Sequence, residues 1–159
     1  MKTPPPGAAL AALALAALSL TACGKPLEKK AQVADGISIA SAWCRASPQD
    51  ATVASCFLVA SNGGAADDTL TSAESSASAR VEVNETYAAG NILRMRPVDS
   101  LTIPAHKAVT LAPGGYVLRL VDLKSPLVVG STVPVTLKFQ GAGDKQILFP
   151  VRIEEATDH

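Results

Sequence analysis

From Gly36 to the end of the chain, short runs of alternating hydrophobic and polar residues are separated by turn-forming residues. The alternation is most regular in Val133–Phe139 and Gln146–Ile153, as expected for strands that bury one face. The predicted strands are Ile37–Ala46, Val53–Ser61, Thr69–Ala73, Arg80–Thr86, Ile92–Arg96, Ala108–Leu111, Tyr116–Leu123, Thr132–Gln140 and Gln146–Ile153. No segment beyond the N-terminal region shows helical spacing over three turns. The pattern therefore predicts one all-β domain, an antiparallel sandwich or barrel, over residues 36–153.

The N-terminal segment has a different pattern, typical of an export signal. Ala8–Leu20 is apolar apart from Ser19, and as a helix it would be about 20 Å long, too short for the roughly 30 Å hydrocarbon core. It ends in Leu20-Thr21-Ala22-Cys23, which resembles the bacterial lipobox, where the Cys receives lipid before cleavage. Residues 1–22 are therefore predicted to be a lipoprotein signal peptide, and Cys23 is the expected lipidation site.

Residues 23–35 and 154–159 flank the predicted domain and are polar. The first segment carries three Lys residues without sustained periodicity, and as a flexible chain it would reach roughly 20 Å. It is predicted to tether the domain to a membrane, and residues 154–159 are predicted to form a polar tail. Gly24 rather than Asp follows Cys23, which, in a Gram-negative cell, favours an outer-membrane anchor facing the periplasm over retention at the inner membrane.

Composition excludes several classes of function. The 14 basic and 14 acidic residues balance, so no net positive charge attracts nucleic acid, and nucleic acid is not an expected partner. Two His residues offer little material for a catalytic cluster, and no Gly-x-Ser-x-Gly elbow is present. His106, in a predicted turn, and His159, the last residue, are interpreted as surface side chains. A protein that is not an enzyme is therefore expected.

Cys44 and Cys56 lie on either side of a predicted turn. If facing positions in the two strands sum to 100, Cys44 faces Cys56 and Trp43 faces Phe57, with the two pairs on opposite faces. Facing residues have Cα atoms about 4.5–5.5 Å apart, a separation that a disulfide tolerates. A disulfide is the favoured interpretation for an exported protein. Two thiolates offered to a soft metal and two unpaired buried thiols are the alternatives.

Several longer motifs are spread along the chain between Trp43 and Val151. They are Trp43-Cys44-Arg45-Ala46, Ala79-Arg80-Val81-Glu82-Val83-Asn84-Glu85, Leu93-Arg94-Met95-Arg96-Pro97-Val98, Ile103-Pro104-Ala105, Leu111-Ala112-Pro113-Gly114-Gly115-Tyr116, Leu123-Lys124-Ser125-Pro126-Leu127 and Val133-Pro134-Val135-Thr136-Leu137. Together they resemble the periplasmic copper chaperone family PCu(A)C, also written PCuAC. The resemblance implies a cupredoxin-like Greek-key β-sandwich. It also implies delivery of copper to periplasmic acceptors, including during cytochrome oxidase assembly.

The family's copper ligands are a His, a Met, a second His and a second Met, separated by ten, twenty-one and one residues. Without a gap, these positions fall on Asn84, Met95, Val117 and Arg119. Only Met95 is retained, because an amide, a hydrocarbon and a guanidinium replace the other ligands. None of these three groups suits Cu(I). No metal or cofactor is therefore expected at this site.

The resemblance and the substitutions together predict a lipid-anchored cell-envelope protein with a degenerate metal site. Its expected partners are the membrane, through the lipid, and a periplasmic protein concerned with copper handling or oxidase assembly. The alternative is a working copper carrier with other donors, either reduced Cys44 and Cys56 or Met95 with an unidentified residue. A structural lipoprotein unrelated to copper is the third hypothesis.

Arginines on the predicted strands are the remaining candidates for a partner contact. Arg94 and Arg96 share one face of their strand. They are interpreted as exposed charges that pair with Glu82 and Glu85, each pair contributing little to stability. In the alternative interpretation, Arg119 contacts a carboxylate or an acidic partner surface.

Overall fold

In the computed structural model, which describes residues 36–153, all regular secondary structure is β-strand. The strands are β1 (Ile37–Arg45), β2 (Val53–Asn62), β3 (Asp68–Ser75), β4 (Ser78–Ala89), β5 (Ile92–Val98), β6 (Leu101–Ile103), β7 (Ala108–Leu111), β8 (Tyr116–Leu123), β9 (Thr132–Phe139) and β10 (Gly143–Arg152). Each segment predicted from the alternating pattern forms a strand. The prediction of an all-β domain is therefore confirmed.

The strands form one sheet that closes on itself. Its order is β5-β4-β8-β7-β2-β1-β10-β9-β3-β6, with further pairings of β3 with β4 and of β2 with β8. The pairing of Ala73 on β3 with Val81 on β4 closes the barrel. Strands β5 and β6 continue outward from β4 and β3, so each has a free edge within the described part of the chain. The predicted antiparallel sandwich or barrel is thus a closed, barrel-like sheet, in which the β1–β10 and β7–β8 pairings are parallel.

Strand β6 is too short to be predicted from the alternating pattern. Leu101 and Ile103 are buried and Thr102 between them is exposed, so the strand contains a single period of alternation. β6 pairs antiparallel with β3 over its whole length, and the Asn62 side-chain amide donates to the carbonyls of Ile103 (2.9 Å) and Ala66 (2.8 Å). Tertiary pairing and this hydrogen bond, rather than local pattern, thus position the strand.

The core lies inside the barrel and follows the predicted alternation. On β9, Val133, Val135, Leu137 and Phe139 are all buried. Other fully buried side chains are Leu58, Ile103, Leu111, Leu118, Leu120, Phe149 and Val151. Burial of each large apolar side chain stabilises a fold by about 1.5–3 kcal/mol. The strands whose alternate side chains point outward are therefore held by a well-packed core.

The β1–β2 hairpin has the register predicted from the sequence. Cys44 lies opposite Cys56, and Trp43 lies opposite Phe57. A disulfide joins the two cysteines, and both are fully buried in the core. The rings of Trp43 and Phe57 pack on the other face with their centroids 4.7 Å apart. The pairing and the disulfide predicted for this hairpin are confirmed.

The segments that concern membrane attachment fall outside the described residues. These are the predicted signal peptide over residues 1–22, the lipidated Cys23 with its tether to residue 35, and the tail over residues 154–159. Their assignments stay predictions. In residues 36–153, no helix could cross a membrane.

Candidate functional site

The four positions at which the resemblance predicts copper ligands come from three neighbouring strands. Asn84 on β4 lies directly opposite Val117 on β8, and Glu82 lies opposite Arg119. Met95 on β5 lies opposite Thr86, two residues beyond Asn84. Facing residues and alternate residues in a sheet point to the same side. The structure therefore brings all four positions to one face.

This face is the outer side of the barrel. Val83 and Leu118, which alternate with the ligand positions, belong to the core inside. Asn84 and Val117 are each only 2% exposed, whereas Met95 is 52% exposed. Of the residues at these positions, the thioether of Met95 is thus the one most open to solvent.

Two polar atoms on this face are buried without a hydrogen-bond partner in the described part of the chain. They are Nδ2 of Asn84 and Oγ1 of Thr86. The backbone N–H of Thr86 donates to the carbonyl of Gly115 (3.0 Å), but its hydroxyl group stays unpaired. An amide NH2 group is only a donor. The groups beside Met95 therefore suit a hydrogen-bond acceptor better than a cation.

Arg119 brings a permanent positive charge to the same face. It is half-buried and faces Glu82 on β4 and Ser55 on β2. Within residues 36–153, Arg119 makes no salt bridge, and Glu82 instead lies 4.0 Å from Arg80. The charge of Arg119 is consequently not neutralised by a direct ion pair in the described structure.

The arginines of β5 behave in part as predicted. Nη2 and Nε of Arg96 donate to Oε2 of Glu85, at 2.7 and 3.0 Å. This hydrogen bond raises the pKa of Arg96. The predicted pairing of these arginines with Glu82 is wrong, since Glu82 lies beyond the end of the β4–β5 pairing and contacts Arg80.

The alternative copper donors do not join Met95 in the described structure. Cys44 and Cys56 are oxidised and buried. His106 is exposed in the turn between β6 and β7, and neither of these strands pairs with β5. His159 lies outside the described residues. In residues 36–153, no three His, Cys, Asp or Glu side chains are grouped as a metal site.

Sequence reasoning did not single out Thr86. Its position two residues after Asn84 on a predicted strand places both side chains on one face, and that signal was available in the sequence. The burial of its hydroxyl group is not a property of the local sequence, because it depends on how β5 and β8 flank β4.

Comparison with known sequences shows a relationship that spans the barrel. Residues 37–151 match the family described as putative lipoprotein LpqE-like. The chain is 33% identical over 140 residues to putative lipoprotein Lxx21020 of Leifsonia xyli subsp. xyli (strain CTCB07). That match covers 85% of this chain and 83% of the relative.

The fold is similar to solved PCuAC domains. The copper-bound PCuAC domain from PmoF2 matches with a TM-score of 0.65 and 29% identity, over 74% of this chain and 93% of that domain. The Cu(I) form of DR1885 from Deinococcus radiodurans matches with a TM-score of 0.62 and 27% identity, over 77% and 81% of the two chains. The predicted resemblance is therefore confirmed at the level of the fold.

Proposed function

This chain belongs to the LpqE-like family of putative lipoproteins, which is the PCuAC copper-chaperone family, and from that membership we propose that it is a non-enzymatic accessory protein of copper handling in the cell envelope. Its own PCuAC site does not hold copper in this proposal. The protein acts instead by binding a periplasmic partner concerned with copper handling or oxidase assembly.

The observation that carries the proposal is the set of side chains on the outer face of β4, β5 and β8. Cu(I) prefers thioether, thiolate and imidazole ligands. Met95 supplies a single thioether, whereas Asn84 supplies an amide and Val117 supplies no donor atom. The strands that would carry the missing ligands are present and paired. The scaffold supports a copper site, but the ligand chemistry does not.

Electrostatics support the same conclusion. The guanidinium of Arg119 stays protonated throughout the physiological pH range. It lies on the same sheet face as Met95, on the strand at the other side of β4, and a fixed positive charge at a ligand position disfavours a bound cation. The family's ligand pattern has a Met, and so a thioether, at this position. The exchange of a ligand for a charge explains why weak copper binding is proposed here.

Attachment to the envelope completes the proposal. Lipidation of Cys23 anchors the protein, and the polar tether over residues 24–35 separates the barrel from the membrane. The family and its relative, both described as putative lipoproteins, support a lipid anchor. Placement at an outer membrane depends only on the Gly that follows Cys23 and stays a prediction.

The proposal is tested by titrating Cu(I) into the purified protein in competition with a Cu(I) chelator. Cys23→Ser removes the lipid and the one thiol outside the disulfide. We expect no stoichiometric copper binding at chelator concentrations that leave family members with all four ligands loaded. Stoichiometric binding that Met95→Ala abolishes would overturn the proposal.

A further inference from the structure

Strand β5 is an open edge of the sheet. In the described part of the chain it pairs only with β4, and every residue from Ile92 to Pro97 is exposed. Ile92 and Leu93 are 61% and 69% exposed, although both are large and apolar. An exposed apolar edge strand is a template for pairing with another strand.

The hydrogen bonds of β4 show which backbone groups of β5 face outward. Thr86 directs its N–H to Gly115, on the side of β4 that borders β8. Its partner Met95 therefore forms a non-hydrogen-bonded pair with it and points its own N–H and C=O away from β4. Leu93 and Pro97 have the same orientation because the period of a strand is two residues. Pro97 offers only its carbonyl group, since proline has no N–H.

Apolar and charged side chains of β5 point to opposite faces of the sheet. Leu93 and Met95 point to one side and Arg94 and Arg96 to the other. Arg96 is paired with Glu85, whereas Arg94 makes no ion pair with any residue of the described structure. The open edge thus combines free backbone groups, an apolar side and a positively charged side.

This charge pattern disfavours a second copy of the chain in the register centred on Met95. If two β5 strands paired antiparallel about Met95, Arg94 of each would face Arg96 of the other. Like charges directly opposite each other destabilise a strand pair. Arginines and Pro97 protect the edge against self-pairing, but such protection gives no reason for the exposed Leu93 and Ile92. A strand that carries carboxylates opposite Arg94 and Arg96 would be attracted to this edge rather than repelled.

We propose that β5 is a docking edge for an extended acidic segment of a partner protein. The segment adds to the sheet next to β5, with carboxylates two residues apart facing Arg94 and Arg96 and apolar side chains packed on Leu93 and Met95. Attraction of an acidic strand and repulsion of a copy together give specificity. The inference rests on the partner-binding part of the proposed function and names the chemistry of that partner.

The test uses 15N-labelled protein and two short peptides with blocked ends. One peptide alternates glutamate with valine and the other alternates lysine with valine. The acidic peptide is expected to shift the amide NMR signals of Leu93 and Met95 and to slow their hydrogen exchange, because these N–H groups become hydrogen-bonded. The lysine peptide is expected to bind about tenfold more weakly. Equal binding of both peptides, or shifts that map away from β5, would overturn the proposal.

Two matched variants separate charge from other effects. Arg94→Glu reverses an exposed charge that makes no ion pair in the described structure, so the fold should be unaffected. It is expected to weaken the acidic peptide about tenfold and to strengthen the lysine peptide. Lys107→Glu likewise reverses a positive charge, but in an exposed turn, and it is expected to alter the affinity for neither peptide. If both variants weakened the acidic peptide equally, the attraction would be unspecific and the proposal wrong.

A backbone variant tests strand addition itself. Met95→Pro removes an outward N–H without breaking a hydrogen bond to β4, and an edge strand tolerates proline there. We expect weaker binding of the acidic peptide with the charges unchanged. A concentration-dependent dimer in sedimentation that Met95→Pro abolishes would assign the edge to a second copy and contradict the proposal.

Copper titration of the same samples keeps the two proposals distinguishable. Tight Cu(I) binding with acidic-peptide binding intact would overturn the proposed loss of copper and leave the docking edge. Weak Cu(I) binding without acidic-peptide binding would overturn the docking edge alone.

Discussion

The carboxylate of Asp68 ties the start of β3 to the turn between β9 and β10. It accepts hydrogen bonds from the backbone N–H groups of Thr69 (2.7 Å), Gly141 (2.7 Å) and Ala142 (2.8 Å). Burial raises the pKa of Asp68, but these backbone hydrogen bonds, together with the charge of Lys145, outweigh it and hold the pKa below its ordinary value. The ionised form is therefore the stabilising one.

Replacement of Asp68 should change both the stability of the fold and its dependence on pH. A lowered folded-state pKa gives stabilisation that is complete above the unfolded-state pKa of about 3.9 and is lost as the pH falls through the folded-state value. Asp68→Asn is expected to lower the free energy of unfolding by about 1–3 kcal/mol at neutral pH. It should also flatten the decline of that free energy below about pH 4.

Urea unfolding from neutral to acidic pH measures both effects. Asp67→Asn is the matched control, because Asp67 accepts one N–H, from Ala105 at 2.9 Å, in an exposed position. Asp67→Asn should lower the free energy of unfolding by less than Asp68→Asn does. An Asp68→Asn variant with the stability and the acid dependence of the natural protein would show that the backbone hydrogen bonds to Asp68 contribute little.

Two buried asparagines should respond in opposite ways to the same substitution. Asn84 is 2% exposed and its Nδ2 has no hydrogen-bond partner in the described structure. Asn62 is 4% exposed, and its side chain bonds Ala66, Ile103 and Gly64. Asn84→Leu is expected to leave the free energy of unfolding unchanged or raise it by about 1 kcal/mol, since an unpaired polar group is removed. Asn62→Leu should lower it by about 2–4 kcal/mol.

Chemical unfolding of the two variants provides the measurement, and the natural protein is the reference. If Asn84→Leu proved as destabilising as Asn62→Leu, the amide of Asn84 would have a partner that the described structure lacks. The donor set inferred for the outer face would then need revision.

At the scale of elements, the β1–β2 hairpin depends on its disulfide. Cys44 and Cys56 are 12 residues apart in sequence, and closing a loop of this size stabilises a fold by about 2–3 kcal/mol. The Cys44→Ala/Cys56→Ala double variant is expected to lose at least that amount in urea unfolding, while its Cu(I) affinity stays as in the natural protein. A change in copper affinity would revive the carrier hypothesis based on these thiols.

The sequence predicts strands well where one face is buried and the other exposed. β7 and β8 have the predicted bounds, and β9 ends one residue earlier than predicted. β4 extends to Ala89 and β10 begins at Gly143, because hairpin pairing continues past the alternating region. β6 is not predicted because pairing with β3 and a tertiary hydrogen bond from Asn62 position it.

The candidate site is predictable only in part. Family spacing identifies Asn84, Met95, Val117 and Arg119 from the sequence, and strand alternation places Val117 and Arg119 on one face. The burial of Asn84 and the outward direction of the Met95 backbone depend on which strands border β4 and β5. Such neighbours are not encoded in any local pattern.

At the scale of the whole molecule, closure of the barrel holds the strands of the candidate site in place without a metal. The β3–β4 pairing joins the two ends of the sheet, and β4 and β8 pair over seven of their residues, from Ser78 to Glu85. The spacing of the ligand positions is therefore fixed by backbone pairing rather than by a metal. Restored ligands should find the geometry already in place.

The central claim is that this barrel keeps the geometry of a copper site and has lost its ligands. Competitive Cu(I) titration of the natural protein beside an Asn84→His/Val117→His/Arg119→Met variant tests it most directly, with Met95→Ala added to the variant as control. We expect no stoichiometric binding by the natural protein, one Cu(I) per chain in the variant, and loss of that ion with Met95→Ala. Stoichiometric binding by the natural protein, or none by the variant, would contradict the claim.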